Sequence, residues 1–346
     1  MKLDIGSEKR FFEFIGKLGD KDKIALISHT DLDGVIAPYV ANKVVAADIL
    51  LFLNYEDLNH NLVLSLKGKK VNKIIFTDLY IKDENFLKEL EKFAEVLILD
   101  HHLAKKDWNS DKITFIKCEE GYCAGYLCYE LFSKIQNLEK IDWLVACACV
   151  ADYCHVKTIG WLEKVFAKYG DKFEMQGLYV RMSGKIWELQ EALSLALIYF
   201  KPDKIKNVFD ALGEKFGDIR DMGKYSSQVK NEVSRLVELF NKEKQTFPGG
   251  YLFEFTPKYG CGSMVSTILS GKYIDKIIIT LRPDSAGKIY HVSLRRQDRK
   301  QNMDAFLVAL LKGFKGADGG GHVPAAGGYF PTHYLNEFRQ RLGVKV

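Results

Sequence analysis

The sequence has no run approaching the ~18 to 20 consecutive apolar residues of a membrane span, and its opening Met1-Lys2-Leu3-Asp4-Ile5-Gly6 lacks the apolar core of a signal peptide. A cytoplasmic protein is therefore expected. It also has no C-x-x-C pair, and its seven cysteines, Cys118, Cys123, Cys128, Cys147, Cys149, Cys154 and Cys261, are odd in number with several in apolar helical stretches. This argues against a disulfide framework and for reduced core thiols; a zinc site from Cys149, Cys154 and His155 can be drawn on spacing alone and is set aside. Internal repeats and low-complexity tracts are lacking as well. The charge excess is small, +5 with a pI of about 8.6, which suits an anionic substrate but falls far short of a histone-like binder. With 47% apolar and 27% charged residues in a chain of 346, the composition is that of a globular protein. At roughly 150 residues per domain, two domains are expected.

Against that plain background one stretch stands out, Val96-Leu97-Ile98-Leu99-Asp100-His101-His102, a short buried strand running into an acid and two imidazoles. Two other strands end in the same way. Lys23 to Ser28 runs into His29-Thr30-Asp31-Leu32-Asp33-Gly34, and Lys73 to Thr77 runs into Asp78. Intervening helices would make these strands parallel neighbours, so the carboxylates and imidazoles would converge on one edge of one sheet. Carboxylates gathered so closely repel one another, and a metal is the simplest cation to place between them. Asp152 ends an apolar helix, Ile141 to Ala151, and is a fourth candidate ligand, because a buried acid is costly unless paired.

In chain order, an amphipathic helix is expected over residues 7–20, and a helix from Val35 to Ala47 with Pro38 in its first turn. A strand at Ile49 to Leu53, a polar connection from Asn54 to Gly68, and a helix from Asp83 to Ala94 complete the alternation of an α/β domain. Residues 157–246 read as charged and helical. The sequence Phe247-Pro248-Gly249-Gly250 marks a boundary, beyond which strands at Tyr251 to Phe255, Lys276 to Leu281 and Lys288 to Arg295 are expected. Near the C-terminal end, Gly319-Gly320-Gly321-His322 reads as a loop whose unshielded N–H groups and freedom for positive φ suit an anion. Tyr290, Tyr329 and Phe330 are candidates either for the core or for stacking on bases.

Together these motifs resemble those of the DHH-superfamily phosphoesterases, in the branch carrying a DHH-associated domain with a GGGH motif. Asp100-His101-His102 resembles the tripeptide that names the family, His29-x-Asp31-x-Asp33-Gly34 its first motif, Asp78 its second and Asp152 its fourth. Ser293-Leu294-Arg295 and Gly319-Gly320-Gly321-His322 with Ala325-Ala326-Gly327 resemble the associated domain. His29 departs from many relatives in standing two residues before Asp31 rather than four.

The resemblance implies a parallel-sheet α/β catalytic domain (1–156), a helical connector (157–246) and a smaller α/β substrate-binding domain (247–346), with the active site in the cleft between. It implies two Mn²⁺ ions, with Mg²⁺ as the alternative. Asp31 and Asp78 would hold the first, joined by His29; Asp33, Asp78, His101 and Asp152 would hold the second. Asp100 would orient His101, and His102, Arg295 or Arg296, Gly319, Gly320, Gly321 and His322 would contact substrate. The implied activity is hydrolysis of short oligonucleotides by two-metal activation of water, of the nanoRNase or pAp phosphatase kind. RecJ-like single-strand exonuclease, cyclic-dinucleotide phosphodiesterase and inactive replication scaffold are the alternatives. The expected partners are short RNA, single-stranded nucleic acid or nucleotides, and a second copy in a homodimer.

Overall fold

The computed structural model describes residues 1–104, 106–176, 179–181, 183–200 and 202–344, and divides into two compact units, Met1–Ser226 and Ser227–Val346. The first unit is built on a six-stranded sheet of β1 (Leu3–Ile5), β2 (Ile24–Ser28), β3 (Ile49–Phe52), β4 (Lys73–Thr77), β5 (Glu95–Asp100) and β6 (Ile113–Cys118), in the order β1-β6-β5-β4-β2-β3. All neighbouring pairs are parallel except the edge strand β1, which runs antiparallel to β6. The short β1 escaped the sequence reading, which began with the helix after it, α1 (Glu8–Gly16).

Alternate residues of each central strand face opposite layers, as the pleat requires. On one side Leu26, Ile75, Leu97 and Ile116 pack with α1, α2 (Leu32–Val45), α5 (Ala124–Phe132) and α6 (Asp142–Ala151). On the other, Ala25, Ile27, Ile74, Phe76 and Ile98 pack with α3 (His60–Gly68) and α4 (Glu84–Glu91). Strands buried on both faces explain the unbroken apolar runs of the sequence.

The helices that follow, α7 (His155–Lys168), α8 (Lys185–Phe200) and α9 (Lys206–Ala211), send Leu162, Phe166, Leu193 and Val208 into the first of these cores. A two-residue ribbon, β7 (Met175–Gln176) with β8 (Tyr179–Val180), lies between α7 and α8. The units thus divide at Ser226/Ser227, inside the segment expected as a separate helical connector, because the apolar faces of α7 to α9 are spent on the first unit. The division falls within the second turn of the long α10 (Met222–Glu243).

The second unit has its own sheet of β9 (Gln245–Phe247), β10 (Gly250–Glu254), β11 (Ile277–Pro283), β12 (Ile289–Arg295), β13 (Asp318–His322) and β14 (Ala325–Pro331), ordered β13-β14-β12-β11-β10-β9. Only β10 and β11 pair in parallel. Its core joins Leu252, Ile279, Val292 and Leu294 to α12 (Met303–Leu311) and α13 (Leu335–Leu342), while α11 (Gly262–Lys272) packs beside β11 and β12. Two expectations fail here. The glycine run is the edge strand β13 and not a loop, and none of Gly319, Gly320 and Gly321 has a positive φ. Tyr290 and Phe330 are buried and stack on each other, with ring centroids 5.8 Å apart, which leaves Tyr329 as the exposed aromatic.

The helix after β2 also starts earlier than expected. Asp31 is its N-cap and accepts the amide of Gly34 at 2.8 Å, so α2 begins at Leu32 and Pro38 falls beyond the first turn. The turn needs Gly34: a Cβ there would stand 2.5 Å from the His29 carbonyl oxygen and 2.8 Å from the His29 Cβ. Replacing Gly34 by Ala is therefore expected to destabilise the protein by about 1 to 3 kcal/mol, measured as a lower urea midpoint with an unchanged slope; an unchanged midpoint would refute this packing account.

Candidate metal centre

From β2 the chain moves outward to β3, then returns past β2 to β4 and continues through β5 to β6. The segments leaving β2 and β4 therefore diverge to opposite layers, opening a crevice at the carboxyl ends of the strands. Strands β2, β4 and β5 end level, with Ser28 beside Thr77 and Thr77 beside Leu99. The floor is tied by hydroxyls: Ser28 Oγ donates to the Thr77 carbonyl and Thr77 Oγ1 donates to Ser28 Oγ, both at 2.8 Å.

Asp78 is at the centre. It is 1% exposed, and it holds φ at +55°, a left-handed conformation that is strained for a residue with a side chain. Its amide donates to the Leu99 carbonyl at 3.0 Å. Oδ1 lies 3.2 Å from His101 Nε2 and 4.0 Å from His102 Nδ1; Oδ2 lies 3.9 Å from His29 Nδ1 and has no hydrogen-bond partner.

The β2 side supplies His29, whose Nδ1 is 2.9 Å from Asp31 Oδ2. His29 and Asp31 are two apart at the end of a strand and share a side, as their period predicts. Asp33, in the first turn of α2, is buried and accepts the amides of Ala124 and Gly125 at 2.7 Å each, at the N-terminus of α5. Its Oδ2 remains 4.0 Å from His101 Nε2.

On the β5 side, His101 Nε2 is 3.6 Å from Asp152 Oδ2 at the end of α6. Asp100 does not orient His101 as expected. It accepts from His102 Nδ1 at 2.8 Å, because residues two apart in extended chain face the same side while the one between faces away. Three donor sets result: His29, Asp31 and Asp78; Asp78, His101 and His102; and His101, Asp152 and Cys154.

Burial pushes Asp78 and Asp33 well above the usual carboxylate range; neighbouring carboxylates add to both, and for Asp33 Cys123 comes before them. Burial also lifts Asp152, to about 6, with His101 partly opposing it. For Asp31 and Asp100 burial acts in the same sense, but His29 and His102 respectively outweigh it and both are lowered. Burial depresses His102, yet its hydrogen bond to Asp100 dominates and raises it, favouring the imidazolium. A site in which Asp78 Oδ2 and Asp100 Oδ2 are buried without a partner, beside three imidazoles, fits divalent cations.

Two residues of this cluster escaped the sequence reading. Tyr55 opens a single 3₁₀ turn, Tyr55–Asp57, after β3; its ring stacks on His29 with centroids 5.1 Å apart, and its Oη is 3.2 Å from His102 Nε2. The available signal was its position just past a strand next to β2, which the polar composition of the segment obscured. Cys154 was assigned to the core, and its thiol lies 3.4 Å from Asp152 Oδ2.

In the second unit, Tyr290, Val292 and Leu294 point into the core, so His291, Ser293 and Arg295 share the other face of β12. Across the sheet Ser293 pairs with Gly327 and Gly327 with Gly320, while Arg295 pairs with Ala325 and Ala325 with His322. This makes a strip of small residues bordered by Arg295 and His322. Arg295 donates to Ser266 Oγ at 3.2 Å and Ser263 Oγ at 3.3 Å, whereas Arg296 is bound to Asp298 through two hydrogen bonds of 2.7 and 3.0 Å. Gly319 faces the core, where a Cβ would stand 2.9 Å from Leu307 Cδ2.

Residues 252–343 match the model of the DHHA1 domain. No curated protein matches the chain in sequence. Among solved structures it is similar in fold to exonuclease RecJ bound to manganese, at 13% identity and a TM-score of 0.63, covering 99% of this chain and 94% of that one. It is similar to RecJ from Thermus thermophilus in complex with Mn²⁺, at 15% identity and a TM-score of 0.61, over 97% of this chain and 53% of that one. It is also similar to CDC45 from Entamoeba histolytica, at 10% identity and a TM-score of 0.61, over 97% of both chains.

The raised carboxylates carry a pH signature. Their protonated forms stabilise the metal-free fold below the unfolded value of ~3.9, and that contribution is lost as pH rises through their elevated values, about 6 for Asp152. A bound cation cancels that loss. The rise in Tm on adding Mn²⁺ should therefore be larger at about pH 8 than at about pH 5.5 in a thermal-shift assay; equal rises at both would contradict these assignments.

Proposed function

We propose that this chain is a member of the DHH superfamily of phosphoesterases and a manganese-dependent phosphodiesterase that hydrolyses short oligonucleotides, of the nanoRNase type. The observation that supports it most is the buried Asp78, with one oxygen toward His101 and the other unpartnered and toward His29. In this reading Asp78 serves two ions. His29, Asp31 and Asp78 would hold one, and Asp33, Asp78, His101 and Asp152 the other. Mixed carboxylate and imidazole donors suit Mn²⁺, with Mg²⁺ as a weaker substitute. Bound there, a pair of divalent cations supplies a water of lowered pKa and neutralises charge on the phosphate oxygens.

The chain's own groups do the rest. Asp100 accepts from His102 Nδ1 and so fixes the ring, whose Nε2, 3.2 Å from Tyr55 Oη, would exchange that partner for a phosphate oxygen and donate to it. In the second unit Arg295, held by the Ser263 and Ser266 hydroxyls where Arg296 is held by the Asp298 carboxylate, and His322 would be the donors for an anionic group, with the strip Gly320, Gly327 and Ser293 admitting it closely. The short run of donors and the net charge of only +5 favour a substrate of a few nucleotides, or pAp, over a long strand.

A RecJ-like exonuclease is the second reading, favoured by the likeness of fold over 99% of this chain. The two separate in one assay. With Mn²⁺, end-labelled RNA of two to five nucleotides should be consumed rapidly and long single-stranded DNA slowly, and Asp78→Asn should lower the rate by at least about 100-fold, beyond what losing a partner outside the ligand shell costs. Fast loss of the long DNA with a steep salt dependence would select the exonuclease, and normal turnover by Asp78→Asn would refute both.

A further inference from the structure

The cluster His101, Asp152 and Cys154 contains a donor that neither the proposed reaction nor its two ions require. It is built by the turn between α6 and α7. The Asp152 amide donates to the Ala148 carbonyl and the Cys154 amide to the Cys149 carbonyl, both at 2.9 Å, which wraps the end of α6. Between them Tyr153 takes φ of +56°, left-handed and with its side chain exposed. That turn brings the Asp152 and Cys154 side chains to the same side. Cys154 Sγ then lies 3.4 Å from Asp152 Oδ2, and Asp152 Oδ2 lies 3.6 Å from His101 Nε2.

Cys154 is 5% exposed, and its thiol also faces the Cys123 sulfur as a donor, with Cys149 Sγ 3.8 Å from Cys123 Sγ. A thiol used only for packing sits among apolar atoms. This one sits against the Asp152 carboxylate, which in turn faces His101 Nε2, itself 3.2 Å from Oδ1 of the buried Asp78. Ligand bonds of ~2.0 to 2.2 Å to nitrogen or oxygen and ~2.3 Å to sulfur, at the angles of roughly 90 to 120° of a five-coordinate ion, set neighbouring donor atoms roughly 2.8 to 3.8 Å apart. The observed separations of 3.4 and 3.6 Å fall in that window.

We infer that Cys154 is a metal ligand, joining His101 and Asp152 around the second ion, so that this position takes a thiophilic divalent cation such as zinc or cobalt as well as manganese. The inference rests on the two-ion reading of the centre. On binding, the S–H bond breaks, a sulfur–metal bond forms and the proton passes to solvent; sulfur is neither oxidised nor reduced. Soft thiolate favours Zn²⁺ and Co²⁺ over Mn²⁺, so one side of the centre would prefer a different metal from the other.

The test uses the full chain, stripped of metal and titrated with Co²⁺. A thiolate-to-cobalt charge-transfer absorption in the near ultraviolet is expected, lost in Cys154→Ser and retained in Cys128→Ser, while dialysis shows cobalt bound to all three proteins. In competition dialysis, zinc affinity of Cys154→Ser should fall by at least about 10-fold, with manganese affinity changing less. Cobalt bound to the wild type without the thiolate band would overturn the inference and leave the two-ion reading intact. A band that survives Cys154→Ser and vanishes in Cys123→Ser would also overturn it. Failure of the wild type to bind cobalt and manganese would remove the two-ion reading itself.

Discussion

The constraint on which the first unit depends is mutual repulsion among Asp31, Asp33, Asp78, Asp100 and Asp152 at one end of one sheet. Among the described residues, none of the five makes an ion pair with a lysine or arginine; the basic side chains beside them are His29, His101 and His102. At an effective dielectric of 20, two unit charges 4 Å apart cost about 4 kcal/mol. Burial of Asp33, Asp78 and Asp100 to 2% exposure or less adds the loss of hydration. Part of this is relieved by the upward shift of Asp33, Asp78 and Asp152, which favours their neutral forms, and part by the amides of Ala124 and Gly125 that donate to Asp33. What remains would be relieved by the divalent cations proposed for this centre.

Rigid parts keep the acids together. Level strand ends fix where His29, Asp78 and Asp100 emerge, and the left-handed Asp78 turns its carboxylate into the crevice at a cost in backbone strain. Gly125 is an example of the fit this demands, since a Cβ there would stand 2.8 Å from Asp33 Oδ1 and 3.2 Å from the Ala148 Cβ. The same economy appears in the second unit, where small residues leave a bare strip beside Arg295 and the larger side chains are turned into the core.

Much of this was legible in the sequence. The apolar runs of β2, β4 and β5 are long enough to read as buried strands, and helices between them imply parallel order, so the meeting of His29, Asp31, Asp33, Asp78 and His101 follows from connectivity alone. What escaped depends on contacts distant in sequence or on backbone turns. Edge strand β1 is only three residues long. β13 is a strand because β14 pairs with it, against the turn propensity of its glycines. The partner of Asp100 is decided by which of two adjacent histidines shares its side of the chain. Tyr55 and Cys154 reach the site through a 3₁₀ turn and a left-handed Tyr153, neither of which has a periodic signature.

The proposed role of Asp78 in serving two ions is tested most directly by titration calorimetry with Mn²⁺. Two ions should bind the wild type, Asp31→Asn should lose one of them, and Asp78→Asn should weaken both. Asp78→Asn that binds two ions with wild-type affinity, while circular dichroism shows it folded, would contradict that role.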